Sequence, residues 1–157
     1  MKPRRTPHAR RPHVPPAVAP RRRPYWTETA SRARVLVVDD HADTRDLLAA
    51  ILTTEGYEVT LADDGDVALQ CYRERAADVV LMDLYMPRRD GVATIRDLRA
   101  EFPGVVIVAM SGDAGAVWQD ALAEARAAGA HLTLRKPIEP WVLLRAFEGL
   151  MAARRSA

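Results

Sequence analysis

Short apolar runs alternate along this chain with longer stretches in which apolar residues recur at a helical period. The runs that begin at Val35, Val79, Val105 and Leu132 are rich in aliphatic and β-branched residues. Such runs, separated by helical stretches, are typical of strands that are buried on both faces of a parallel sheet. The pattern predicts strands over about 34–38, 57–61, 78–82 and 131–134, with the fourth strand in chain order ending at Met110.

Helices are predicted between these strands. They cover about 43–54, 66–75, a stretch ending near 101, 115–128 and 139–153. Asp43 is the predicted N-cap of the first helix, and Gly56 and Gly129 are the predicted stop signals of the first and fourth. The fifth carries Trp141, Leu144, Phe147 and Met151 at a period that predicts packing against the sheet. Consecutive βα units predict an α/β fold with a doubly wound five-stranded parallel sheet and right-handed crossovers.

Polar residues stand where these apolar runs end. Asp39 and Asp40 follow the first run, Asp83 follows the run that begins at Val79, Ser111 follows the next, and Lys136 closely follows the last. Ligands of open parallel sheets bind just beyond the carboxyl ends of the strands. We therefore expect acids, a hydroxyl and a lysine to meet at one edge of the sheet.

That set of side chains has a chemical logic. Carboxylates about 4 Å apart repel by roughly 4 kcal/mol at an effective dielectric of about 20, so such a cluster calls for a cation or a proton. Oxygen ligands favour Mg²⁺, which readily bridges a carboxylate to a phosphate. An aspartate can attack phosphorus to form an acyl phosphate, while lysine and serine bind phosphate oxygens. The pattern predicts a phosphate-accepting site.

Several sequence segments resemble the receiver domain of two-component response regulators. The matching segments are VLVVDDH at 35–41, DVVLMDLYMPRRDG at 78–91, VVIVAMSG at 105–112 and LRKPIEP at 134–140. The resemblance covers about 33–153 and follows the order of the predicted strand ends. It implies a flavodoxin-like (βα)5 fold of the kind found in single-domain chemotaxis regulators.

The resemblance also implies a role for each matching residue. Asp83 matches the phosphoacceptor and is also a metal ligand. Asp40 matches the carboxylate that contacts Mg²⁺ directly. Asp39 matches the second carboxylate, which reaches the ion through water, and the backbone carbonyl of Tyr85 matches a further ligand. Ser111 matches the switch hydroxyl. Either acid of the 39–40 pair could instead serve as a helix cap.

The end of the resemblance contains both a match and a departure. Lys136 matches the phosphate-binding lysine, and Pro137 matches a cis-proline. The family's switch aromatic lies three residues before the lysine, where this chain has Thr133, with His131 nearby. We therefore expect weaker coupling between Ser111 and the surface that signals.

The function implied by the resemblance is phosphorelay signalling, in which a sensor histidine kinase or a histidine phosphotransfer protein donates a phosphoryl group to Asp83. The domain would catalyse only its own phosphotransfer and autodephosphorylation, and would signal to a protein target that the sequence does not identify. A phosphatase of the haloacid dehalogenase type would also place an aspartate after a strand, although that family has a second aspartate where this chain has Tyr85. A non-phosphorylated scaffold, or a nucleic-acid binder that acts through the basic residues of segment 1–32, is also compatible with the sequence.

Composition divides the chain into two regions. The length of 157 residues and an apolar content of 48% fit one core. Residues 1–32 hold nine basic residues, one acid and seven prolines, so their net charge of +8 leaves −6 for residues 33–157. We expect 1–32 to be a disordered basic tail that contacts nucleic acid only non-specifically, if at all, and 33–157 to be the receiver domain.

Localisation and the remaining reactive side chains add less. Residues 1–30 contain no apolar signal segment and no run is long enough to span a bilayer, so we expect a cytoplasmic protein without membrane partners. Cys71 stands alone and is interpreted as buried filler. His41 either contacts an approaching kinase or is solvated, and the pair Arg88-Arg89 is interpreted as solvated charge.

Overall fold

The computed structural model describes residues 33–112 and 116–155, all within the compact unit Ser31–Ala157. The predicted tail therefore lies outside the described residues. The elements alternate in chain order: β1 (Arg34–Val38), α1 (Ala42–Thr54), β2 (Glu58–Ala62), α2 (Gly65–Glu74), β3 (Val79–Asp83), α3 (Gly91–Glu101), β4 (Ile107–Ser111), α4 (Ala116–Ala128), β5 (Leu132–Arg135) and α5 (Pro140–Arg155).

The five strands form one parallel sheet in the order β2-β1-β3-β4-β5. This confirms the predicted doubly wound, flavodoxin-like fold. The order reverses between β1 and β3, because the chain leaves β1 toward one edge of the sheet and returns at β3 to build the other half. In open sheets, ligands bind in the crevice outside the carboxyl ends of the strands at such a reversal.

The core lies on both faces of the sheet because successive strand residues point to opposite faces. Val35 and Val37 pack with the cluster that contains Phe147, whereas Leu36 and Val38 pack with the cluster that contains Ile95. All residues of β3 and β4 are buried. This two-sided burial explains why their sequences are continuous apolar runs with a polar residue only at the carboxyl end.

Two predictions about helices are wrong in detail. The first helix begins at Ala42 after His41, which has an extended backbone and forms no side-chain cap, so Asp43 is not the N-cap. In α5, Trp141 is 65% exposed, and Leu143 is buried in its place. The stop signals are confirmed, since Gly56 and Gly129 follow α1 and α4 with φ of +91° and +114°, a conformation that favours glycine.

No helix in the described part of the chain is long and apolar enough to cross a bilayer.

Candidate functional site

Lys136 joins the ends of strands that are far apart in sequence. Its Nζ lies 2.6 Å from Oδ2 of Asp39, which follows β1, and 2.9 Å from Oδ2 of Asp83, the last residue of β3. The backbone N–H of Lys136 donates to the Ser111 carbonyl at 2.8 Å, which fixes the start of the lysine segment to the end of β4. The peptide bond from Lys136 to Pro137 is cis, as the resemblance implied. The sheet therefore brings Asp39, Asp83, Ser111 and Lys136 to one edge.

The acids of this site differ in their exposure. Asp39 and Asp83 are buried, with relative exposures of 0% and 3%, whereas the side chain of Asp40 is 23% exposed. Burial raises the pKa of Asp83, the attraction of Lys136 opposes this rise only in part, and the negative charge of Asp39 adds to it. Two buried carboxylates thus share a single ammonium group.

Lys136 is held in its charged form. Burial by itself would lower the pKa of this lysine, but its hydrogen bonds to Asp39 and Asp83, together with the negative charges of those carboxylates, outweigh burial and raise that pKa. The lysine neutralises one of the negative charges on Asp39, Asp40 and Asp83. An excess of two negative charges is left when all three acids are ionised, which is the charge that a divalent cation balances.

Asp39 is fixed by its surroundings. Its backbone N–H donates to the Ala62 carbonyl at 3.2 Å, and the Arg45 guanidinium donates to the backbone carbonyl of Asp39 at 2.6 Å. Its Oδ1 accepts the His41 backbone N–H at 2.9 Å, while Oδ2 accepts from Lys136. Both carboxylate oxygens of Asp39 therefore already have protein partners.

The side chains present fit a metal ion. One ligand atom each from Asp39, Asp40, His41 and Asp83 lie within 4.8 Å of one another. Asp83 Oδ1 accepts a long bond of 3.4 Å from the Tyr85 N–H, so it keeps acceptor capacity. Hard oxygen donors in a region of excess negative charge are the ligands that Mg²⁺ takes. Tyr85 lies two residues after Asp83, in the loop that follows β3, and is 44% exposed.

The Ser111 hydroxyl is buried without a partner among the described residues. The residue has a relative exposure of 0%, and its Oγ makes no hydrogen bond there. A buried hydroxyl without a partner typically costs on the order of 1–3 kcal/mol, so such a group in a folded protein calls for an explanation.

The loop from β3 to α3 contains a residue whose role the sequence did not reveal. Gly91 begins α3 directly behind the Asp83 backbone, and a Cβ atom there would lie 2.0 Å from the Asp83 carbonyl oxygen. Its N–H donates to the Leu84 carbonyl at 3.1 Å, and Asp90 caps the helix by accepting the Val92 N–H at 2.9 Å. Only glycine permits this approach. The Asp90-Gly91 pair was visible in the sequence, but the close contact that requires the glycine was not.

The interpretation of Arg88-Arg89 as solvated charge is wrong for Arg89 and incomplete for Arg88. Arg89 pairs with Asp66 of α2 and Asp97 of α3, and only 27% of its side chain is exposed. Arg88 is 65% exposed but lies 3.0 Å from a carboxylate oxygen of Asp64. These ion pairs tie the β3–α3 loop to α2 and to the loop that precedes it.

The departures near β5 also have a structural setting. Thr133 is half-buried, and its Oγ1 accepts a long bond of 3.4 Å from Arg126 of α4. The Nδ1 of His131 accepts the Ile107 N–H at 3.2 Å, at the start of β4 and therefore at the opposite end of that strand from Ser111. His131 consequently does not replace the missing ring near the site.

Comparison with known proteins decides the family. The family model of the response regulator receiver domain matches residues 35–148 of the sequence. The chain belongs to the response regulator receiver family. This membership decides against a phosphatase of the haloacid dehalogenase type. Receiver domains are phosphoacceptors in two-component signalling that interact with histidine kinases or phosphotransfer proteins, and they are not conventional enzymes.

Individual relatives agree with this assignment. The transcriptional regulatory protein ZraR of Escherichia coli O157:H7 is 36% identical over 105 residues, which cover 67% of this chain and 23% of ZraR. The DNA-binding response regulator MtrA of Mycobacterium tuberculosis is 41% identical over 80 residues, which cover 51% of this chain and 35% of MtrA. The chain thus spans between 23% and 35% of the length of these relatives.

A solved structure supports the fold independently. The CheY-like receiver domain protein from Methanospirillum hungatei superimposes with a TM-score of 0.74 at 26% identity, covering 81% of this chain and 100% of that one. A similar architecture at this identity agrees with the family match.

Proposed function

We propose that this receiver accepts a phosphoryl group from a phosphohistidine onto the carboxylate of Asp83. The observation that carries the proposal is the position of Asp83, buried at the reversal point of the sheet and sharing Lys136 with Asp39. The donor would be a sensor histidine kinase or a histidine phosphotransfer protein, and the product an acyl phosphate. Downstream, the modified domain would signal to a protein target by conformational change.

The transfer needs placement rather than acid–base chemistry. One oxygen of Asp83 attacks phosphorus, the P–N bond to the donor histidine breaks, and its electron pair returns to the imidazole nitrogen. Lys136, now 2.9 Å from Asp83 Oδ2, is positioned to bind the oxygens of the arriving phosphoryl group. Hydrolysis of the acyl phosphate by water within the same site would reset the domain.

Mg²⁺ is the proposed cofactor. We propose that Asp40, Asp83 and the Tyr85 carbonyl hold it, with Asp39 acting through water because both of its carboxylate oxygens are already engaged. When bound, the ion supplies positive charge that neutralises phosphoryl oxygens.

Ser111 supplies the link from chemistry to signalling. Its buried hydroxyl lacks an acceptor among the described residues, and a phosphoryl oxygen on the neighbouring strand would provide one. Gaining that bond would bias the position of the segment that follows β4. The coupling would bypass Thr133, whose hydroxyl accepts a long bond from Arg126.

We extend the proposal to the whole chain. Residues 33–157 form the receiver, and the basic segment 1–32 is dispensable for phosphorylation. A chain with Cys71 as its only cysteine is suited to the reducing cytoplasm, where we place the reaction. Nucleic acid would bind only non-specifically, through the basic segment.

The proposal is tested by incubating the full chain with acetyl phosphate and Mg²⁺ and measuring bound phosphoryl by intact mass. The wild type should gain one phosphoryl group and Asp83→Asn none. Asp43→Asn is the matched control, because Asp43 is an exposed acid on α1, and it should label as the wild type does. Equal labelling of Asp83→Asn would refute the assignment, and no labelling of any protein would favour a non-phosphorylated scaffold.

A further inference from the structure

The imidazole of His41 lies beside the acids of the site. Its Nδ1 is 3.0 Å from Oδ1 of Asp40 and 3.6 Å from Oδ1 of Asp39. The ring belongs to the same group of possible ligand atoms as Asp83. The backbone of His41 is fixed by its N–H bond to Asp39, so the ring is anchored at its base although 71% of the side chain is exposed.

These separations can be compared with the geometry of a metal site. Ligand bonds of about 2.1 Å place neighbouring donors about 3.0 Å apart in an octahedron and about 3.4 Å apart in a tetrahedron. The observed 3.0 Å and 3.6 Å are close to these edge lengths. A hydrogen bond explains the shorter contact, but the longer one exceeds hydrogen-bond range. The ring and Asp40 are therefore already spaced as two ligands of one ion, and Asp39 lies close enough to reach the same ion through water.

We infer that His41 is an additional ligand of this metal site and makes it selective for transition-metal ions such as Ni²⁺ and Co²⁺. The inference rests on the proposed function in that the same carboxylates hold the ion. Imidazole nitrogen suits these ions and adds to the affinity of a carboxylate set, whereas Mg²⁺ prefers oxygen. The site thus combines hard oxygen donors with one borderline donor.

The expected effect of removing the ring follows from this division. Water can replace the imidazole around Mg²⁺ with little change, because water is itself a preferred Mg²⁺ ligand. Ni²⁺ loses a better donor and gains a poorer one. The ratio of Ni²⁺ to Mg²⁺ affinity therefore reports on His41, while a role in loop structure alone would change both affinities together.

The experiment measures Ni²⁺ and Mg²⁺ binding by titration calorimetry in the full chain. His8 and His13 are replaced by alanine in every sample, so that the amino-terminal segment contributes no imidazole. His41→Gln in this background should bind Ni²⁺ at least about tenfold more weakly, with Mg²⁺ affinity changed by less than about twofold. His131→Gln is the matched control, since its ring lies at the start of β4, and it should retain Ni²⁺ affinity.

A second measurement keeps His41 in place. Addition of diamagnetic Zn²⁺ should shift the Nδ1 resonance of His41 in long-range ¹H–¹⁵N spectra of the His8→Ala, His13→Ala protein. Unchanged Ni²⁺ affinity in His41→Gln, or an equal loss for both ions, overturns the inference. An unshifted Nδ1 resonance at saturating Zn²⁺ overturns it as well. Failure of the proposed function is distinct: it would appear as absent phosphoryl uptake by Asp83 whatever the metal selectivity.

Discussion

Replacing Lys136 by methionine should destabilise the receiver strongly when divalent cations are absent. Methionine keeps most of the length of the side chain but removes the ammonium that lies 2.6 Å from Asp39 and 2.9 Å from Asp83. Both carboxylates are buried, so water does not solvate them in place of the lost ammonium group. The variant therefore isolates the electrostatic contribution of the lysine.

The magnitude can be worked from the distances. The carboxylates of Asp39 and Asp83 approach within 4.8 Å, and two unit charges at that separation repel by about 3.5 kcal/mol at an effective dielectric of about 20. Removing one partner of a buried ion pair generally costs about 3–5 kcal/mol. Protonation of Asp83, whose pKa burial already raises, limits the penalty. We expect a loss of about 3 kcal/mol in the free energy of unfolding.

The assay is urea denaturation in EDTA and again in saturating Mg²⁺, at neutral pH. Lys136→Met should lose about 3 kcal/mol in EDTA and regain part of it with Mg²⁺, because binding to the folded state stabilises that state. Arg135→Met is the matched control, since it removes the same charge from an exposed neighbour, and it should change stability by less than about 1 kcal/mol.

A double variant separates repulsion from lost packing. Adding Asp83→Asn to Lys136→Met removes one of the two opposed charges and should recover at least about half of the loss in EDTA. The electrostatic reasoning would be refuted by a Lys136→Met protein as stable as the wild type, or by a double variant no more stable than Lys136→Met alone.

Two further predictions concern the surroundings of the site. Gly91→Ala should lower the free energy of unfolding by about 1–3 kcal/mol and reduce phosphoryl uptake, because the Cβ of the new alanine would meet the Asp83 carbonyl. Gly149→Ala is the control: this position on α5 has open space around it, so the change should be neutral or stabilising by up to about 1 kcal/mol. Equal urea midpoints for both variants would contradict the packing argument. Burial, and to a smaller extent the charge of Arg99, lowers the pKa of His131 from 6.5. The unfolded chain therefore takes up a proton more readily than the folded one. The free energy of unfolding should accordingly fall as pH drops through 6.5 toward the lower pKa of the folded protein. In urea denaturation, the free energy of unfolding of His131→Gln should fall less than that of the wild type between about pH 7.5 and about pH 5.5. An identical fall in the two proteins would reject this role of His131.

Local patterns in the sequence determined the elements of this receiver. The apolar runs of β1, β3 and β4 are continuous because both faces of the sheet are covered, so the strands could be recognised without knowing their neighbours. Gly56 and Gly129 were recognisable as helix ends because few other residues adopt their backbone conformation. The polar residues at the strand ends identified the site, since parallel strands place those ends on one edge.

Contacts between distant residues were decided only by the tertiary structure. Lys136 and Asp39 are 97 positions apart, and their pairing depends on the strand order that places β1 and β3 side by side with β4 and β5 beyond. Arg89 looked like solvated charge because its partners, Asp66 and Asp97, lie on two different helices. No local pattern records which helices become neighbours.

The orientation of α5 shows the same division. Helical period placed Trp141 and Phe147 on one face, but α5 begins with several apolar residues in succession, so the period alone does not fix its rotation about its axis. The edge-to-face contact of Phe147 with Tyr57, with ring centroids 5.6 Å apart, accompanies the rotation in which Leu143 is buried and Trp141 is exposed. The sequence by itself determined which residues form strands, helices and the candidate site, because those signals are local; packing decided which side chains meet, because that depends on residues far apart in the chain.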